Sequence, residues 1–110
     1  MGTITHLESI RGAVERDPAI RISEHYQVLD TKHGLMLYNR HDPTMVDSLE
    51  DKGAWAWEEI EATRQYATGI VVDVGANIGC HTLVYAQTAD RVFAFEPQPF
   101  VFDNLCATCC

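Results

Sequence analysis

The residues Ile70-Val-Val-Asp-Val74 run directly into Gly75-Ala-Asn-Ile-Gly79, and this junction constrains the fold more than any other stretch of the chain. The first run is short and rich in β-branched residues, with no polar alternation until its end. That pattern predicts a parallel strand buried on both faces. Gly75 and Gly79 then allow backbone angles and close approaches that a Cβ forbids. Cys80–Thr88 reads as a helix with Leu83, Ala86 and Gln87 on its packing side, and Asp90 breaks it. Arg91-Val-Phe-Ala-Phe95 repeats the buried-strand pattern, Glu96-Pro-Gln-Pro99 is a loop, and Phe100–Cys106 begins another helix. Strand, glycine turn, helix and strand make a βαβ unit with a right-handed crossover. Such a unit opens a doubly wound α/β sheet.

Upstream the pattern differs. Residues 1–19 are weakly patterned, and Asp17-Pro18 reads as a turn. Two short apolar runs, Tyr26-Gln-Val-Leu29 and Leu35-Met-Leu-Tyr38, flank the turn-forming stretch Asp30–Gly34. They predict a β-hairpin that Asp42-Pro43 ends. A helix is expected over Thr44–Lys52, with Met45 and Leu49 on one face and Gly53 as its stop. A second is expected over Ala54–Tyr66, with Trp57, Ile60 and Arg64 on one face and Glu58, Glu61 and Gln65 on another. At helical spacing Trp55 and Trp57 read as core rather than as rings that stack on a ligand. Residues 1–66 are thus a small α+β segment, and 67–110 begin the core α/β domain.

Charge and cysteine usage narrow the function classes. The chain has 16 Asp+Glu against 8 Lys+Arg. Seven of the acids fall between Asp42 and Glu61, where Lys52 is the only basic residue. That stretch reads as a solvated helix and its turns, and it repels phosphate backbones, so no nucleic-acid partner is expected. No stretch approaches the ~20 apolar residues of a membrane span, and the N-terminus lacks the regions of a signal peptide. His6 stands where a myristoylation signal needs Ser or Thr. A cytoplasmic location without membrane attachment is therefore the default expectation; the sequence sets no oligomeric state. Cys106 and Cys109 make a C-x-x-C without a second such pair, and they lie in a helix rather than at its start after a strand. Neither a zinc site nor a redox motif is expected.

The chemistry resides in the turn and in the acid beyond the second strand. Folds of this kind bind ligands at the carboxyl ends of their strands, where bare backbone and free helix N–H groups are presented. Glu96 ends the second strand and can accept hydrogen bonds from both hydroxyls of a ribose, so a nucleoside with an unphosphorylated ribose is expected. A dinucleotide fingerprint requires G-x-G-x-x-G. From Gly75 the sequence reads G-A-N-I-G-C, with Asn77 and Cys80 at two of the three glycine positions. Asp73, two residues before Gly75, is poorly placed for a pyrophosphate and suits a ligand with a positive end.

Val71-Val-Asp-Val-Gly-Ala-Asn-Ile-Gly79 resembles motif I of class I S-adenosylmethionine-dependent methyltransferases, and its wording is similar to the FkbM-type branch in particular. Val92-Phe-Ala-Phe-Glu-Pro97 resembles that family's second-strand motif, which ends in the ribose-binding acid followed by proline, and Asn104 and Leu105 are similar to the helix that follows. The strong likeness covers residues 70–105. It implies a Rossmann-like class I methyltransferase fold. It also implies that Asp73, Gly75, Ala76, Asn77 and Gly79 line the methionine end of S-adenosylmethionine, while Glu96 and Pro97 hold the ribose. Gly53, Trp57, Glu58 and Glu59 weakly resemble the helix before motif I, which covers the cofactor in this family. No stretch before Cys110 matches the family's later strands. The resemblance therefore implies an N-terminal fragment, truncated after the second core strand and inactive alone.

The implied reaction is O-methylation of a small molecule or sugar, by attack of the acceptor on the sulfonium methyl group. Taking the proton of an attacking hydroxyl calls for a general base: His25, His33, His41 and His81 are candidates by residue type, and no catalytic residue is assigned. A nicotinamide-dependent oxidoreductase and a non-catalytic nucleotide-binding fragment are the alternatives.

Overall fold

The computed structural model describes residues 19–21, 26–40 and 43–109. Strand β1 (Ala19–Arg21) pairs antiparallel with β2 (Tyr26–Thr31), which pairs antiparallel with β3 (Gly34–Asn39). The expected hairpin is present, with Thr31 opposite Gly34 across the turn. The β1 strand is an addition that its short sequence did not signal. The turn expected at Asp17-Pro18, and Asp42 of the stop after the hairpin, lie outside the described residues.

Helix α1 (Pro43–Lys52) buries Met45, Val46 and Leu49. Gly53 ends it at φ 72°, and its N–H donates to the Leu49 carbonyl at 2.9 Å, as expected of a C-terminal glycine. The next helix is shorter than its sequence suggested. α2 spans only Trp57–Thr63, followed by a 3₁₀ turn at Arg64–Tyr66. Ala56 sits at φ 52°, a left-handed angle that excludes Ala54–Ala56 from the helix and starts it at Trp57.

Strand β4 (Ile70–Val74) and strand β5 (Arg91–Phe95) pair in parallel, Ile70 opposite Arg91 and Val74 opposite Phe95. Helix α3 (Cys80–Tyr85) connects them, and α4 (Pro99–Cys109) follows. The proline stands at the first helical position, where its missing N–H costs nothing. The chain is thus mixed α/β, with a parallel β–α–β unit where the sequence placed one.

Two expectations of burial fail. β4 and β5 are not buried on both faces: Ile70 is 70% exposed, Val72 58% and Val74 80%, and Phe93 and Phe95 are exposed as well. Residues between them, such as Val71 and Val92, are half-buried. The two-stranded sheet is covered on one side by α3, and no described element covers the other. On α3, Leu83 packs against the core as expected, but Ala86 and Gln87 are exposed. The helix ends at Tyr85, so neither residue lies on its inner face; Cys80, Thr82 and Val84 are buried instead.

The core joins both halves of the chain. Leu29, Met36, Tyr38, Met45, Val46 and Leu49 cluster with Ile78, Cys80 and Val101. Helix α4 lies on β3, where the Thr108 hydroxyl donates to the Leu37 carbonyl at 2.8 Å and accepts from the Leu37 N–H at 3.3 Å. Fully buried Asn104 accepts from the Asn39 N–H and donates to the Phe100 carbonyl. Among the described residues no helix is long and apolar enough to cross a membrane.

Leu49 is fully buried in this cluster. Leu49→Ala is expected to destabilise the protein by about 2–5 kcal/mol, the cost of lost burial plus a cavity. The urea unfolding midpoint measures it.

Candidate functional site

The turn after β4 is built on three left-handed residues: Gly75 at φ 76°, Asn77 at φ 53° and Gly79 at φ 103°. Asparagine tolerates this region better than other residues with a Cβ, which suits it to the middle of the turn. The N–H groups of Gly75 and Ala76 both donate to the Phe95 carbonyl, at 2.8 and 3.0 Å. The turn is therefore fastened to the end of β5, beside Glu96.

Glu96 closes the arrangement. Its Oε1 accepts from the Asn77 N–H at 3.0 Å and its Oε2 from the Gln98 N–H at 2.9 Å. The acid and the glycine turn, 21 positions apart between Gly75 and Glu96, meet in space. Pro97 follows on the exposed side. Asp73 is half-buried one strand away, and its Oδ2 accepts from the Thr82 hydroxyl at 2.6 Å. That bond ties the strand to α3, and the glycine pattern carried no signal for it.

The two glycines do different work. A Cβ on Gly75 would meet nothing within 4 Å, so the backbone there borders open space. A Cβ on Gly79 would lie 3.2 Å from Leu105 Cδ1 and 3.4 Å from Cys109 Sγ. Gly79 therefore lets α4 approach the turn, and the expected approach of a ligand at this glycine is replaced by the protein's own helix. Ala76 is buried, and Asn77 keeps a buried Oδ1 that has no hydrogen-bond partner among the described residues. An unpaired buried acceptor is costly, and a water or any other molecule that brings a donor would satisfy it.

Helix α2 borders the turn. The His81 Nε2–H donates to Glu59 Oε1 at 2.9 Å, and the Tyr85 and Thr63 hydroxyls are 2.6 Å apart. Glu59 and Thr63 are one helical turn apart, as are His81 and Tyr85. The two contacts hold α2 alongside α3 in the same direction. Of the described candidate histidines, His81 lies two residues past Gly79 and His33 bonds to Cys80, the residue after it. His25 and His41 lie outside the described residues.

His33 has a different role from the one its type suggested. It is 1% exposed. Its Nδ1 lies 3.0 Å from the Cys80 carbonyl oxygen, and its Nε2 lies 3.0 Å from the Trp55 backbone nitrogen. A carbonyl can only accept and a backbone N–H can only donate. The ring is therefore the neutral Nδ1–H tautomer, accepting at Nε2. It packs against Trp57 in a T-shaped arrangement, with centroids 5.3 Å apart and planes at 79°. Burial holds its pKa below the ordinary value, against the Cys80 carbonyl, which raises it; the nearby His81 lowers it further. Burial likewise pushes the Cys80 thiol up to about 12, so it stays protonated and unreactive. Cys80 is a free thiol, and no three His, Cys, Asp or Glu side chains among the described residues converge as metal ligands.

Comparison with family models, curated proteins and solved structures gives no match to this chain.

The His33 pKa in the folded protein lies below the unfolded value of 6.5, so the unfolded chain takes up the proton first. Its stabilising contribution is fully present above pH 6.5 and is lost as the pH falls from there through the folded pKa. Urea midpoints between pH 7.5 and 5.5 are expected to fall more steeply for the native chain than for His33→Gln, which cannot be charged. Gly79→Val should destabilise by about 1–3 kcal/mol, from the left-handed angle and the crowding against Leu105; the denaturation midpoint reads this too.

Proposed function

We propose that the chain carries the S-adenosylmethionine-binding face of a class I methyltransferase, on a Rossmann-like sheet that begins at β4. The observation that supports this best is the bond from the Asn77 N–H to Glu96, because it makes the turn and the acid one site. A carboxylate has roughly four lone-pair positions, and the Asn77 and Gln98 N–H groups use two. The others remain for the two adjacent hydroxyls of a ribose.

The donor set fits the rest of such a ligand. The open backbone at Gly75 leaves room beside the turn. The unpaired Asn77 Oδ1 suits the ammonium of a methionine moiety. Asp73 and Glu96 place two carboxylates near the turn, an environment that disfavours a pyrophosphate and favours a ligand with a cationic end. When bound, S-adenosylmethionine supplies an electrophilic methyl group for in-line displacement. In this reading Glu96 orients the ribose, Gly75 admits the ligand to bare backbone, and Asn77 with Asp73 receives its amino end. Holding the methyl donor in one orientation is the larger part of the catalysis such a site supplies. The acceptor class implied by the resemblance is a small molecule or sugar with a nucleophilic oxygen.

Calorimetric titration of the 110-residue chain with S-adenosylhomocysteine is expected to give saturable binding that Glu96→Ala weakens at least tenfold and Glu96→Gln weakens less. NAD is expected not to bind. Preference for NAD, or equal affinity in the Glu96→Ala protein, refutes the assignment.

A further inference from the structure

Lys32 and Lys52 are the only lysines in a chain of net charge −8, and the fold brings them to one place. The Lys32 N–H donates to the carbonyl of Gly53, the residue after Lys52, at 2.8 Å. This joins the hairpin turn to the end of α1. Both lysines line a cleft of about 560 Å³ together with Trp57, Glu58 and Glu59, a volume in the range of small-molecule sites. Arg40 is paired with Asp47 and Glu50, and Arg64 with Glu61. Neither lysine makes an ion pair among the described residues. Two lysines that line one cleft with no ion pair among the described residues, in a protein with twice as many acids as bases, give an anion a place to bind beside Glu58 and Glu59 of the same cleft.

The remaining walls define the rest of the ligand. Trp57 is half-buried, with the His33 ring centre 5.3 Å and the Lys32 ammonium 5.7 Å from its ring centre. It offers an apolar surface beside the cationic one. Glu58 is exposed in the cleft and adds hydrogen-bond acceptors that repel a bare anion but receive hydroxyl donors. Glu59 belongs to the cleft and also reaches His81, two residues past Gly79. The cleft is therefore linked to the first turn of α3, the helix that follows the glycine turn.

We infer that this cleft binds the methyl acceptor, and that the acceptor is a hydroxylated ring bearing an oxyanion, as a sugar acid or a sugar phosphate does. Lys32 and Lys52 hold the oxyanion, Trp57 packs on the ring, and Glu58 accepts from its hydroxyls. The role as acceptor site rests on the methyltransferase reading above; the binding of an anionic sugar does not.

The test is titration of the full chain with D-glucuronate, D-glucose 6-phosphate, D-glucose and D-glucosamine, with the Trp57 indole N–H followed by NMR. At least one anionic sugar is expected to bind ten times more tightly than glucose and to shift the Trp57 signal. Binding by glucuronate alone identifies a carboxylate ligand, and binding by the phosphate alone a phosphoryl ligand. Lys32→Glu and Lys52→Glu should each abolish the preference, and Lys52→Arg should keep it. Equal binding of all four sugars, no binding, preference for glucosamine, or affinities unchanged in the Glu variants overturns the inference. S-adenosylhomocysteine is titrated in parallel. If it binds and the anionic sugars do not, the cleft assignment fails alone. If the sugars bind through the lysines and it does not, the methyltransferase reading fails and takes the acceptor role with it, while the anionic-sugar site stands.

Discussion

The His33 imidazole donates from Nδ1 to the Cys80 carbonyl and accepts at Nε2 from the Trp55 N–H, so one buried ring ties the hairpin turn, the link between α1 and α2, and the first residue of α3. Each partner is a backbone group, and each comes from a different part of the chain. Only the neutral tautomer satisfies both. Trp57 packs against the same ring, the two planes 79° apart. His33 is thus one of the buried polar side chains, with Thr82 and Asn104, that fix how the elements around the cleft and the glycine turn meet.

The glycine turn depends on that arrangement and adds its own. Its backbone is fastened to the end of β5 through the Phe95 carbonyl and, one residue on, through the Glu96 carboxylate. The turn's last glycine is occupied by α4 rather than by free space, whereas its first borders open space. Two glycines that look equivalent in sequence thus divide the work: one admits a helix and the other leaves the strand end accessible. The side chains on the outer face of β4 and β5 stay exposed, so the site is built on the covered face and at the strand ends.

Much of this was legible from local pattern. The two parallel strands, the helix between them and the hairpin stand where β-branched runs and turn residues placed them, because those signals act over a few neighbouring residues. Burial was less legible. The apolar run at Ile70–Val74 reads the same whether one face of the strand is covered or two, since the number of layers packed on a sheet is set by distant elements. Ala54–Ala56 reads as helix by propensity, yet the left-handed angle at Ala56 starts the helix later, a case of tertiary context overriding a weak local preference. The roles of the histidines were not legible at all: their spacing carries no sign that His33 is buried between two backbone groups or that His81 meets Glu59.

The sequence by itself determined the order of elements, the glycine-bearing turn after β4 and the acid that ends β5, because these follow from steric limits on a few adjacent residues. Only the tertiary structure decided that Glu96 reaches back to Asn77, that Gly79 is filled by α4, and that the protein's two lysines share one cleft. Those outcomes depend on hydrogen bonds and packing between residues far apart in the chain, and a linear pattern carries no distance between them.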